Sequence, residues 1–338
     1  TAFNQDIGSW DVSSVTSMSA MFYRATAFNQ DLGDWNVSRV PDLGYMLYGG
    51  ITLSTENYNS LLQGWSQLDL HSDITFKVGD SQYSFAGKLG HGILETDFGW
   101  TIDDGGYTGT ILPDPSVFES TWNIDTGGTT ITLPLVSDGT YNFLVDWGDD
   151  STDTITTYNQ AEVTHTYSDS GRYVISITGT IDGFVFDNGG DKDKILDISQ
   201  WGDLKLGNSG GYFKGCQNLD VTATDTLHLS GTTDLSEMFM DCGNLDGTSA
   251  FNSWNVSGVT NMSNMFYGVG YFDQIIGEWD VSAVTDMSHM FNGAYTFSQD
   301  IGSWDVSAVT DMSHMFDGAA GFINSPINSW NVSSVTNM

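Results

Sequence analysis

The sequence predicts a repeat solenoid interrupted by an inserted all-β sandwich module. Three observations carry this reading. Tryptophan recurs at a fixed interval, the residues around each tryptophan form the same phrase, and between two blocks of that phrase the apolar period changes to two.

Trp10 and Trp35 are 25 residues apart, and Trp254, Trp279, Trp304 and Trp330 follow at 25, 25 and 26. Each phrase carries the spacing apolar-x-x-Trp-x-Val: Ile7, Trp10, Val12; Leu32, Trp35, Val37; Ile276, Trp279, Val281; Ile301, Trp304, Val306; Ile327, Trp330, Val332. That spacing is a leucine-rich-repeat-like strand signature. Period two sends Trp304 and Val306 inward and leaves Ser303 and Asp305 outside. In the residues that follow, Val309, Met312, Met315 and Phe316 lie at offsets 0, 3, 6 and 7, one face of a helical turn with Ser307 as its N-cap. Gly318 and Ala319 end the turn. A single coil cannot bury its Trp, Met and Phe, so its neighbours must cover them, and these residues read as core ladders.

The organisation expected along the chain has five parts. Residues 1–48 are the C-terminal part of a first array. Residues 49–110 are its cap, with Ser54 starting a helix that buries Tyr58, Leu61, Leu62 and Trp65, a strand-like alternation at 74–78, and Phe98 through Ile102 closing the segment. Residues 111–196 are the sandwich, read from alternating runs such as Tyr141-Asn142-Phe143-Leu144-Val145-Asp146-Trp147 and Tyr173-Val174-Ile175-Ser176-Ile177. Residues 197–245 cap the second array, which occupies 246–338. Thr1 enters midway through a repeat and Met338 stops before a Met-Phe turn, so the arrays are expected to continue beyond both.

At Phe22 through Ser38 and Phe291 through Ser307 the chain resembles the BspA-like surface-protein repeats, related to the repeat region of mycoplasma lipoproteins. Their phrase runs close to Met-Phe-x-x-Ala-x-x-Phe-Asn-Gln-Asp-Ile-Gly-x-Trp-Asp-Val-Ser. The middle module, with Val145-Asp146-Trp147-Gly148-Asp149-Asp150 and His165-Thr166-Tyr167, resembles a polycystic-kidney-disease-type (PKD) sandwich. The resemblance implies an extracellular or cell-surface protein, often adhesive, with no particular ligand.

Charge narrows the function further. Against 43 Asp and Glu stand 9 Lys and Arg, a net charge of -34, and no Lys or Arg follows Lys214. Such a surface repels phosphate backbones and anionic headgroups, which excludes nucleic acid. No apolar run approaches the length of a membrane helix, so no direct membrane insertion is expected in this segment.

No nucleophile elbow, His metal cluster or phosphate loop appears, and the sequence proposes no enzymatic reaction. His289 and His314 share one repeat position, held elsewhere by Ala20 and Asn264, and read as exposed and variable. Cys216 and Cys242, one coil apart, read either as a disulfide or as two small core residues. The best candidate metal ligands, for calcium, are two acidic loops: Asp187, Asp191 and Asp193 with Asn188, and Asp146, Asp149 and Asp150. The outward ladder of Asp11, Asn36, Asn255, Asp280, Asp305 and Asn331 is the candidate binding face. The expected function is a structural, adhesive segment of a large surface or fibre protein, with other copies or modules of that protein as partners. The alternative is a binding module for surface glycans or proteins that uses the acidic face, assisted by calcium.

Overall fold

A computed structural model of the chain describes residues 3–108, 114–124, 129–149, 151–246, 251–323 and 326–338. It divides into two compact units, Thr1–Asp114 and Pro115–Met338.

In the first unit the repeat phrases contribute Phe28, Leu32, Trp35, Val37, Leu43 and Met46 to one apolar core. Helix α1 (Thr55–Trp65) joins that core. Ser54 caps it, its hydroxyl accepting from the Asn57 amide, and Tyr58, Leu61, Leu62 and Trp65 are buried. Strand β1 (Thr75–Lys77), helix α2 (Phe85–Thr96) and strand β2 (Thr101–Asp103) follow, and the two strands pair in parallel. Helix α2 was not legible in the sequence, because Gly87, Gly90 and Gly92 lower its propensity. Gly90 is required by packing: a Cβ there would stand 2.4 Å from the Leu62 carbonyl oxygen of α1.

The second unit begins with β3 (Phe118–Asn123), β4 (Thr130–Thr132), β5 (Leu135–Asp146), β6 (Thr152–Ile155), β7 (Thr164–Thr166), β8 (Arg172–Phe184), β9 (Ile195–Gln200) and β10 (Asp220–Val221). Six form one mixed sheet in the order β10-β9-β3-β8-β5-β6, in which only β9 and β10 run parallel. Strands β4 and β7 make a separate antiparallel pair. Strand β9 crosses the boundary expected at 196/197. One continuous core runs from Phe118 through Trp147, Trp201 and Phe239 to Met315.

The repeats correct the expected fold class. A leucine-rich-repeat-like solenoid needs a strand and a helical turn in every coil, and the all-β insert was expected to stand between two such arrays. Among the described residues there are two α-helices, both within 55–96, and three small sheets, with no strand inside any Trp phrase. The phrases are built from turns, linked from one repeat to the next by isolated parallel bridges at Asp234, Asn261, Asp286, Asp311 and Asn337.

The reason lies in one position. Ala20, Glu237, Asn264, His289 and His314 all have φ between 54 and 60°, a left-handed conformation that breaks a right-handed helical turn. Consecutive amides therefore alternate in direction. Those of Met262, Asn264, Phe266 and Gly268 donate to carbonyls of Asp286, Ser288, Met290 and Asn292 in the next repeat, at 2.8–3.0 Å. Those of Met265, Tyr267 and Val269 donate three residues back within their own repeat. The offsets 0, 3, 6 and 7 still bury Val309, Met312 and Met315, because successive turns present the same face that a helix would.

Side chains stack in register across the repeats. Trp254, Trp279, Trp304 and Trp330 lie parallel at 6.2, 6.4 and 6.5 Å between successive centroids. Phe239, Phe266, Phe291 and Phe316 stack at 5.9, 5.8 and 6.0 Å.

Candidate functional site

The six residues of the outward face are all exposed, and each is engaged by its own chain. The side-chain Oδ1 of Asp11, Asn36, Asn255, Asp280, Asp305 and Asn331 accepts the amide of the serine two residues on, at 3.0–3.2 Å. At Asp11, Asn36, Asn255 and Asp280 the serine hydroxyl donates to the same oxygen at 2.6–2.7 Å, and the Ser307 hydroxyl also bonds the Asp305 carboxylate. This is an Asx-turn, which needs one acceptor oxygen, and so Asp and Asn interchange along the ladder. Hydrogen bonds from Ser13, Ser282 and Ser307, hydroxyl first and amide second, hold the Asp11, Asp280 and Asp305 carboxyls below the usual Asp value.

A second ladder does the same at the bridge positions. Asp234, Asn261, Asp286 and Asp311 accept from Ser236, Ser263, Ser288 and Ser313. A third joins neighbouring repeats: Asn4 accepts from the Asn29 amide, and Asp273 from the Ser298 amide, both at 2.8 Å.

The first acidic loop is held by lysines that sequence reasoning did not connect to it. Asp191 meets Lys194 at 2.7 Å and accepts the Thr132 amide. Asp193 meets Lys192 at 2.9 Å, and Asp187 meets Lys214 at 3.5 Å. Three carboxylates thus face three different ammonium groups, and Asn188 donates its amide to the Lys214 carbonyl. In the other loop Asp146 accepts the Gly148 amide, while Asp149 accepts from Ser151 and meets His165 Nε2 at 2.8 Å. Burial alone would raise the Asp149 pKa, and the bonds from Ser151 and His165 outweigh it and leave it lowered. Asp150 lies outside the described residues. Among the described residues no three His, Cys, Asp or Glu side chains gather in a group that could hold a metal ion.

His165 also stacks on buried Trp147, with centroids 4.8 Å apart, and the Tyr167 hydroxyl donates to the Trp147 carbonyl. The residues that carried the sandwich resemblance therefore form one structural network. Cys216 and Cys242 are free and buried, and burial pushes both thiols far up in pKa. The Cys242 thiol donates to the Phe213 carbonyl at 3.1 Å.

One role of tryptophan was missed. Its indole N–H reaches back to a backbone carbonyl: Trp35 to Ile7, Trp65 to Leu32, Trp279 to Phe251, Trp304 to Ile276 and Trp330 to Ile301, at 2.8–3.2 Å. The signal was present in the sequence, since a ladder needing apolar bulk alone has no reason to use the one large side chain with an N–H donor.

No helix among the described residues is long and apolar enough to cross a membrane. No curated protein and no solved structure matches the chain. The family model described as "Mycoplasma protein of unknown function, DUF285" matches residues 1–76 and 233–338, more than half of the sequence and both blocks of the Trp phrase. With more than half of the sequence matched, the chain belongs to the DUF285 family.

Proposed function

We propose that this chain is a non-catalytic, structural and adhesive segment of a large extracellular or cell-surface protein, in which stacked repeats act as spacers. The observation that carries this reading is where the polar groups go. Asp, Asn and Ser at equivalent positions bond their own turn or the neighbouring repeat, so the recurring chemistry of the phrase builds the stack. Family membership supports a mycoplasma-type repeat protein, and the surface placement and the PKD-like character of the middle module rest on the resemblance of the residues.

A second reading, a glycan- or protein-binding module, is favoured at one place. Ile275 is 63% exposed at the repeat position that Asp31 and Asp300 occupy elsewhere. It lines a groove of about 620 Å³ with Glu278, Gln299, Asp300, Pro326 and Asn328.

Two measurements test the proposal. Antibody raised against this chain should label intact cells that make the protein, and labelling only after permeabilisation would refute the surface placement. Asp11→Asn, Asp280→Asn and Asp305→Asn together should leave adhesion of those cells unchanged. Loss of adhesion with the stack intact would favour the binding-face reading instead.

A further inference from the structure

We propose that the exposed tyrosines Tyr271 and Tyr295, with the groove at Ile275 beside them, dock a cationic, Arg- or Lys-rich peptide segment of a partner protein. The proposal rests on the binding-module reading and names the chemistry of its partner.

The two tyrosines belong to one patch on successive repeats. Tyr295 lays its ring along the preceding repeat: a Cβ at Gly270, the residue before Tyr271, would stand 3.1 Å from Tyr295 Cδ2. Thr296 fixes the same spot, donating its amide and its hydroxyl to the Gly270 carbonyl, both at 3.1 Å. The Tyr295 carbonyl in turn accepts the Gly321 amide of the next repeat at 2.8 Å. The backbone beneath the rings is therefore held before any partner arrives, which lowers the ordering cost of binding.

The first unit shows what a surface tyrosine does in this chain when a cation is at hand. Arg24 lies over the Tyr23 ring at 5.2 Å, Lys77 over Tyr48 at 5.7 Å and Lys88 over Tyr107 at 5.2 Å. Those three tyrosines are 37 to 42% exposed, whereas Tyr271 and Tyr295 are 67 and 64% exposed. No Lys or Arg follows Lys214, so the repeats that carry Tyr271 and Tyr295 have no cation of their own to place on them.

Charge selects the occupant. A ring face attracts ammonium and guanidinium groups through its quadrupole, and 14 Asp and Glu follow Lys214, so rings and field act in the same direction. An acidic peptide or an anionic glycan meets the opposite field. The groove begins four residues on from Tyr271 and sets Glu278 and Asp300 beside Ile275. That combination suits an Arg or Lys side chain, whose aliphatic stem packs on the isoleucine while its charged head meets a carboxylate.

The test is calorimetric titration of the whole chain with a short peptide of alternating Arg and Ser at physiological salt. Tyr271→Ser together with Tyr295→Ser should weaken binding about tenfold, the effect of two exposed cation–π contacts. Tyr271→Phe with Tyr295→Phe keeps both ring faces and should bind as the native chain does. Tyr23→Ser, at a ring that Arg24 already covers, should change nothing. Urea unfolding of the serine double variant should match the native chain, since both side chains are exposed. Equal affinity of the native chain and the serine double variant would overturn the proposal, because the peptide would then be held only by the diffuse field of the acidic surface. Binding of a neutral mannose oligosaccharide in place of the peptide, lost in the serine double variant, would overturn the cationic partner and leave the binding-module reading standing.

Discussion

Removing the indole of Trp304 separates two contributions that the repeat phrase always supplies together. Trp304 is 3% exposed, lies between Trp279 and Trp330 in the stack, and donates its N–H to the Ile276 carbonyl at 3.2 Å. Trp304→Ala empties a large aromatic site and should cost about 3 to 5 kcal/mol. Trp304→Phe keeps a ring in the stack but removes one of two donors to the Ile276 carbonyl, which keeps the Trp279 amide at 3.2 Å, a loss of about 1 kcal/mol. Trp254 supplies the control. It is equally buried, and its indole nitrogen has no partner among the described residues, so Trp254→Phe removes an unsatisfied donor and should cost less than Trp304→Phe by about 1 kcal/mol. Trp10 is 53% exposed, and Trp10→Ala should cost less than about 1 kcal/mol. The assay is urea unfolding of the whole chain, with amide hydrogen exchange at residues 259–316 reporting the second unit separately. A loss below about 1 kcal/mol for Trp304→Ala would mean that the stack is not core. Equal losses for Trp254→Phe and Trp304→Phe would mean that the indole bond contributes nothing.

Further perturbations address the turns, the acidic loops and the thiols. Asn264→Val places a β-branched residue at φ 56° and should destabilise by about 1 to 2 kcal/mol, whereas Asn264→Gly should be neutral or stabilising in the same urea assay. The Asp305 carboxyl, with its pKa held down by Ser307, contributes stability that is present above the unfolded value near about 3.9 and is lost as pH falls through the lower folded value. Carboxyl NMR should therefore show Asp305 titrating below a peptide aspartate, and Ser307→Ala should bring it back up. Lys194, 7% exposed at its side chain and 2.7 Å from Asp191, should cost about 2 to 3 kcal/mol on Lys194→Met, with Asp191→Asn recovering part of that loss in the double variant. Cys216 and Cys242 should react with a disulfide reagent only after unfolding, and rapid reaction in the native state would contradict their burial.

What could be read from the sequence was the repeat interval, the burial of the Trp, Met and Phe ladders, the Ser54 cap with its four buried partners, and the change of period in the middle. These follow from spacing and apolar pattern, which local chemistry fixes. The backbone conformation within each repeat did not follow. An apolar pattern of 0, 3, 6 and 7 is satisfied equally by a helical turn and by two tight turns in sequence. What decides between them is a left-handed residue whose identity varies among Ala20, Glu237, Asn264, His289 and His314. Asn264, His289 and His314 are of types enriched in that region and each has a left-handed glycine four residues on, Gly268, Gly293 and Gly318, but Ala20 and Glu237 carry no such hint. The lysine partners of the first acidic loop were not legible for a different reason. Lys214 lies 27 residues from Asp187 in the chain, and only the fold brings the two together.

The ladders also bear on where specificity can reside. An Asp or Asn that closes its own Asx-turn is kept by that turn in every repeat, so recurrence at Asp11, Asn36, Asn255, Asp280, Asp305 and Asn331 is accounted for without a ligand. The informative positions are those at which the phrase is broken and no bond within the stack requires the new residue. Ile275 replaces an aspartate whose counterpart Asp300 closes a turn on the Gly302 amide, and its side chain is exposed. His289 and His314 share a left-handed position whose backbone geometry itself favours asparagine and histidine, and their rings stack on each other at 4.8 Å, so they are accounted for without a ligand. A binding partner is therefore to be sought at the exposed Ile275 before the regular acidic face.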